Sequence, residues 1–152
     1  MAAMGLMVLI FLFSSQNAQA SSAVSSPFAD FLQSLLAWLP EHLAVVIVRK
    51  GAHFSIYAAL GFMLFFTLLP QTGSTPVFSW KAPLLGAWAL CTLYAMSDEI
   101  HQLFVAGRSG ELRDVLLDSC GSLTGIIIAL LLAFWVFHLH QSRQSRNSSS
   151  VC

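Results

Sequence analysis

The sequence predicts an all-α, polytopic membrane protein: a four-transmembrane-helix bundle with a short amphipathic helix lying in the interface between spans one and two. Three observations carry this prediction. Hydrophobic residues make up 57% of the 152 positions. Charged residues make up only 9%, whereas a soluble domain carries charge on about a quarter of its residues. The remaining polar residues gather where apolar runs end instead of alternating with them. Lys plus Arg and Asp plus Glu balance at seven each, so no surplus of charge points to nucleic acid or to an acidic partner. One compact unit uses nearly the whole chain and leaves no room for a second domain.

Residues 1–16 are read as the first transmembrane helix. Its apolar run, Ala2 to Phe13, is short for a span that needs ~20 residues. Ala18-Gln19-Ala20 has the small-x-small form of a signal cleavage site, but no Lys or Arg precedes the run, which favours a retained helix over a signal peptide. Residues 17–41 are read as a polar, Ser-rich linker followed by the interfacial helix. Ser26 is its expected N-cap and Pro27 its first helical residue. Phe28, Phe31, Leu32, Leu35, Leu36 and Leu39 draw one apolar stripe, and Pro40 stops it. Lying in the membrane interface and packing on the bundle are both open for this segment.

Residues 42–137 form the three-span core. Span two starts near His42, passes Arg49-Lys50 and is apolar from Phe54 to Leu69; Pro70, Gly73 and Pro76 mark the loop that follows. Trp80 and Lys81 open span three, which stays apolar to Met96 and then meets Ser97-Asp98-Glu99-Ile100-His101-Gln102. Span four starts at Leu112, carries Asp114 and Asp118 in its first two turns and is apolar from Ile126 to Phe137. The tail, residues 138–152, is Ser-rich and basic, hence expected to be disordered and solvated. Cys91, Cys120 and Cys152 are odd in number and far apart, and two of them lie within apolar runs, so neither a disulfide framework nor a zinc pattern is expected.

An even number of spans brings the start of span two, the end of span three and the start of span four to one membrane face. Residues three or four apart share a helix face. Asp98 therefore aligns with His101 and Gln102, Asp114 with Asp118, and His53 with Lys50 and Tyr57. Asp118 lies about 6 Å along its helix from Asp114 at 1.5 Å per residue, so the polar cluster forms a pit entering the bilayer. Facing lipid would cost each charge on the order of 2.5–3.5 kcal/mol, so these groups should face one another, with Arg49, Lys50 and Arg108 as counter-charges. The far halves of spans two to four lack the ionisable relay that ion or proton transport needs.

Several chemistries fit the pit. An anionic or amphiphilic headgroup would meet Arg49, Lys50 and Arg108, with Tyr57, Gln102, Ser109, Asp114 and Asp118 completing the ligand-binding set; the carboxylates and His101 would hold the cations in place. A membrane-embedded hydrolase or transferase would use His53 or His101 as general base beside Asp98 or Asp118, with Glu99 also a candidate catalytic group. Its nucleophile is undetermined, since Ser97 and Ser109 sit in no nucleophile motif. A metal reading draws on Asp98, Glu99, His101, Asp114 and Asp118. The spacing matches no metal motif and adjacent Arg and Lys oppose a cation, so neither metal nor cofactor is expected. The bland reading is a salt-bridge network stapling the helices. Gly121 and Gly125 form a small-xxx-small seam for a close helix neighbour, within the chain or in a homo-oligomer.

The run Ser97-Asp98-Glu99-Ile100-His101-Gln102-Leu103-Phe104-Val105-Ala106-Gly107-Arg108-Ser109-Gly110, followed by Asp114, Asp118 and Gly121, resembles the signature of VanZ-like membrane proteins. Arg49-Lys50-Gly51-Ala52-His53-Phe54 with Tyr57 and Gly61 is similar to that family's second-span motif, and Phe13-Ser14-Ser15-Gln16 to its first-span exit. The chain departs from the pattern at Ala106, where a Pro is common, and lacks basic residues ahead of the first span. The resemblance implies a multi-pass protein of the bacterial inner membrane, one relative of which lowers susceptibility to the lipoglycopeptide teicoplanin. Lys81, Arg143 and Arg146 as topogenic charges would place both termini in the cytoplasm.

Overall fold

The computed structural model describes residues 2–69 and 80–149, which contain five helices: α1 (Ala2–Ser14), α2 (Ala18–Leu35), α3 (Glu41–Leu68), α4 (Lys81–Gln102) and α5 (Leu112–Ser149). No strand occurs among the described residues. The expected loop at Pro70, Gly73 and Pro76 lies outside them. Two helices are long and apolar enough to cross a membrane, α3 and the Leu112–His140 part of α5, and a third crossing is reached if α1 and α2 together count as one bent span. α4 has the length, but Lys81, Asp98 and Glu99 within it lower its apolarity.

The α3–α5 contact is the most extensive helix pair, and small residues make it so. Gly121 lies against the Phe54 carbonyl, Gly125 against the Ala58 carbonyl and Gly61 against the Ser122 carbonyl. In lipid there is little hydrophobic gain between helices, so close backbone approach with dense van der Waals contact carries their association. The close neighbour expected at Gly121 and Gly125 is thus α3 of the same chain. Around this pair, Tyr57, Leu60, Cys91, Ala95 and Val115 form one buried cluster with Ala3 and Ile10 of α1. Phe65, Ala87, Ile126 and Ala129 form a second, nearer the other end. Large apolar side chains on the outside of α5, among them Ile128, Leu131 and Trp135, are exposed, as suits a surface in contact with acyl chains. Cys91 is buried, Cys120 exposed, and both are free.

Two elements differ from the sequence expectation. The Ser-rich stretch is helical: α2 begins at Ala18, capped by Asn17, whose side chain accepts from the Ala20 N–H at 2.8 Å. Pro27 therefore sits inside the helix instead of opening it. Its missing N–H frees the Ala23 carbonyl four residues back, and the Ser26 hydroxyl donates to that carbonyl at 3.1 Å. Serines that suggested a linker thus satisfy their own helix. Asn17→Ala should cost about 1 kcal/mol, read as a lower unfolding midpoint in detergent with unchanged helical circular dichroism. The second difference is at the C-terminus, where α5 continues to Ser149 through the stretch from His138 expected to be disordered.

α2 leaves α1 at 108°. Its inner face, Ala29 and Leu32, packs with Leu39 on Ala44, Val45 and Val48 of α3 and its approach. Its outer face presents Phe28, Phe31 and Leu35 to the surroundings. The predicted stripe is therefore divided: Leu32 and Leu39 face the bundle, and Phe28, Phe31 and Leu35 face outward.

Candidate functional site

The ends of α1 and α4 and the starts of α3 and α5 meet at one end of the bundle. Lys50 on α3 pairs with Asp114 in the first turn of α5, where a carboxylate also suits the helix dipole. Glu99 on α4 accepts the Glu111 backbone N–H at 2.8 Å. It satisfies a donor at the α5 N-terminus that no intrahelical carbonyl can reach. The turn between α4 and α5 passes through Gly107 at φ 73°, a left-handed backbone that favours glycine. This turn delivers Arg108.

Arg108 is held without a carboxylate. Its Nε and Nη2 donate to Gln102 Oε1 at 3.2 and 2.7 Å, and its Nη1 donates to the Ser21 hydroxyl at 3.2 Å. Gln102 in turn donates from Nε2 to Asp98 Oδ2 at 3.2 Å. Burial, with the nearby Arg49 charge, holds the Arg108 guanidinium below its ordinary pKa; a guanidinium nevertheless stays protonated. Among the described residues neither Arg49 nor Arg108 makes an ion pair.

Deeper in the pit, His53 on α3 places Nδ1 3.7 Å from Asp118 Oδ2 on α5, and Asp98 of α4 completes a trio whose ligand-type atoms lie within 4.8 Å of one another. Asp118 is fully buried and Asp98 is 3% exposed. Neither Asp118 oxygen has a hydrogen-bond partner, and Asp98 Oδ1 and the buried Tyr57 hydroxyl likewise lack one.

The site is flanked by two cavities of about 220 Å³ each. The first is polar, lined by Arg49, Lys50, His53, Glu99, Arg108 and Asp114 among others, with Ser109 at its edge. The second is more apolar, lined by Ile10, Phe13, Val24, Ala52 and Ile56 between α1, α2 and α3. Arg49 and His53 line both.

Of the residues singled out from sequence, Arg49, Lys50, His53, Glu99, Gln102, Arg108, Ser109 and Asp114 line the polar cavity; Asp98, Asp118 and Tyr57 lie buried beneath it. His101 is elsewhere. Its Nε2 lies 3.1 Å from the Ser15 hydroxyl and its ring packs on Phe11 at 4.7 Å, so it neither faces Asp98 nor braces a cation. The reason is angular. Gln102 lies ~40° around the helix from Asp98 in one direction and His101 ~60° in the other, which turns His101 toward α1. Ser97 donates to the Tyr94 carbonyl of its own helix. Ser21 and the Glu111 amide belong to the site although no sequence signal marked them, because a lone Ser and a backbone N–H carry no pattern.

No curated protein and no solved structure matches the chain. The VanZ/LLP1 family profile matches residues 1–138. That match takes in α1, α2, the α3–α5 glycine seam and every residue of the His53–Asp98–Asp118 trio, and the chain belongs to the VanZ/LLP1 family.

Proposed function

We propose that this chain is a four-span protein of the bacterial cytoplasmic membrane whose one-sided pit binds the anionic headgroup of a membrane amphiphile. The observation that carries the proposal is the junction of a polar and an apolar cavity at Arg49 and His53. A headgroup seated on Arg49 and Arg108 leaves its chain a path along Ile10, Phe13 and Ile56. Arg108 offers a planar fork suited to phosphate or carboxylate, and a neutral amide rather than a carboxylate holds it. Size ranks the ligands: at about 220 Å³ the polar cavity is smaller than the ~300–1,000 Å³ typical for drug-sized ligands. That favours the headgroup of a phospholipid or a lipid-linked wall precursor over a whole lipoglycopeptide.

In this reading α1, α3, α4 and α5 cross the bilayer, and α2 lies in the interface with Phe28, Phe31 and Leu35 against acyl chains. Both termini are cytoplasmic and the pit opens outward; a C-terminal reporter active only outside the cytoplasm would reverse that orientation. The test of binding is native mass spectrometry of the purified full chain with phosphatidylglycerol and phosphatidylcholine. Wild type should retain the anionic lipid preferentially, and Arg108→Ala and Arg49→Ala should each lose about tenfold or more, since a charge-assisted hydrogen bond contributes ~1.5–3 kcal/mol. Equal retention by wild type and both variants would remove the headgroup site.

A second reading, a membrane-embedded hydrolase or transferase, draws support from the His53–Asp118 couple. His101 is turned away and Ser97 is bound to its own backbone, so its base would be His53 and its nucleophile a water.

A further inference from the structure

We propose that His53, Asp98 and Asp118 bind one divalent metal ion beneath the headgroup cavity. Three helices supply one ligand each, α3 the imidazole, α4 and α5 the carboxylates, and their ligand-type atoms already lie within 4.8 Å of one another. Adjacent ligands on a tetrahedral ion at ~2.1 Å sit roughly 3.4 Å apart. Closure from 4.8 Å therefore needs about an ångström or more of side-chain movement. The 3.7 Å between His53 Nδ1 and Asp118 Oδ2 is close to the spacing of adjacent ligands.

Orphaned polar atoms point to the ion independently of that spacing. Both oxygens of Asp118, Oδ1 of Asp98 and the Tyr57 hydroxyl are buried without hydrogen-bond partners, and among the described residues only Ser14 Oγ shares that condition. Two carboxylates this deep are costly unless paired or bound to metal. Neither Lys50 nor Arg108 pairs with them: Lys50 is taken by Asp114, Arg108 bonds Gln102 and Ser21, and only His53, a cation when protonated, stands within ion-pair range of Asp118. A divalent ion would balance the two carboxylates with a neutral His53.

The surroundings suit a metal site. Asp98 keeps Oδ1 free of any hydrogen bond while Oδ2 accepts from Gln102, which Arg108 fixes. That is the outer-shell support ligating carboxylates receive. One imidazole and two carboxylates select an ion of the zinc, manganese or iron(II) class over calcium, which takes oxygen ligands only. Three protein ligands leave a coordination position for water or for an oxygen of whatever occupies the cavity that His53 lines.

The experiment is metal analysis of the full chain purified in detergent, stripped with chelator and reloaded with Zn²⁺, Mn²⁺ or Co²⁺. Wild type should retain about one equivalent of at least one of these ions after gel filtration and unfold at a higher temperature with it than without it. Co²⁺ bound by nitrogen and oxygen ligands should give weak visible bands and no thiolate charge-transfer band. His53→Ala and Asp118→Asn should lose the equivalent, the bands and the thermal shift, whereas Asp114→Asn, one turn outside the trio, should keep them. Arg49→Ala should keep the metal even where it loses anionic lipid, which separates this site from the headgroup reading. Less than a tenth of an equivalent on wild type for all three ions overturns the proposal whether or not the variants fold. So does undiminished metal on folded His53→Ala and Asp118→Asn.

Discussion

Gly125→Ala, the addition of one methyl group, is expected to abolish the folded protein or leave it unfolding far below wild type. A Cβ at this position would stand 1.8 Å from the Ala58 carbonyl oxygen, and the obstacle is backbone, which cannot rotate away as a side chain can. α3 and α5 would have to separate by more than an ångström. Ordinary overpacking costs about 1–3 kcal/mol, and this separation would also loosen the neighbouring contacts of Gly121 and Gly61, whose added Cβ atoms would stand 2.5 and 2.3 Å from carbonyl oxygens. The expected loss is therefore roughly 3 kcal/mol or more. Gly51→Ala is the matched control on α3: nothing lies within 4 Å of its added Cβ, and removing a mid-helix glycine should gain up to about 1 kcal/mol. Thermal unfolding by gel filtration in detergent should move in opposite directions for the two variants. A Gly125→Ala protein as stable as wild type would mean that the helices do not cross here.

The same seam shows why the core of the fold could be read from sequence. Polar stripes at Lys50-His53-Tyr57, Asp98-Gln102 and Asp114-Asp118 follow helical spacing, and apolar runs on both sides fix the helix ends near them, so their convergence follows from alternating helix direction. Gly121 and Gly125 declared a close neighbour without saying which one. α2 departs from the sequence expectation because serine is ambiguous: it disfavours helix when its hydroxyl competes for the backbone, yet Ser25 and Ser26 donate to Ser21 and Ala23 carbonyls within the helix. His101 faces α1 instead of the pit because sharing a stripe within one turn still leaves ~100° between its two edges, and only packing decides which edge faces the pit. The partnership of Arg108 with Gln102 and Ser21 depends on the path of the Gly107 turn and on the α1–α2 bend, neither of which periodicity encodes. Glu99, a candidate catalytic group from sequence, lines the polar cavity and also accepts the Glu111 N–H at the start of α5.

Asp118→Asn should make the metal-free protein more stable while removing what the pit is built to hold. Asp118 is fully buried, His53 stands 3.7 Å away, the Asp98 carboxylate lies within 4.8 Å, and neither Asp118 oxygen accepts a hydrogen bond. Asparagine keeps the shape and removes the charge. An unsatisfied buried group costs about 1–3 kcal/mol, more when ionised, and a kilocalorie shifts the midpoint by roughly 2–4 °C at this chain length. The chelator-treated variant should thus melt several degrees above chelator-treated wild type, and added Zn²⁺ should narrow or reverse the gap by stabilising wild type alone. The salt-bridge reading demands the opposite sign: removing one member of a structural buried pair costs about 3–5 kcal/mol, so the variant would melt far lower in chelator. The direction of that shift separates a carboxylate kept for a ligand from one kept for the fold. Natural chains retain destabilising buried charge where function requires it, and among the described residues Asp98, Glu99 and Asp118 are the buried charged groups, two of them beside His53.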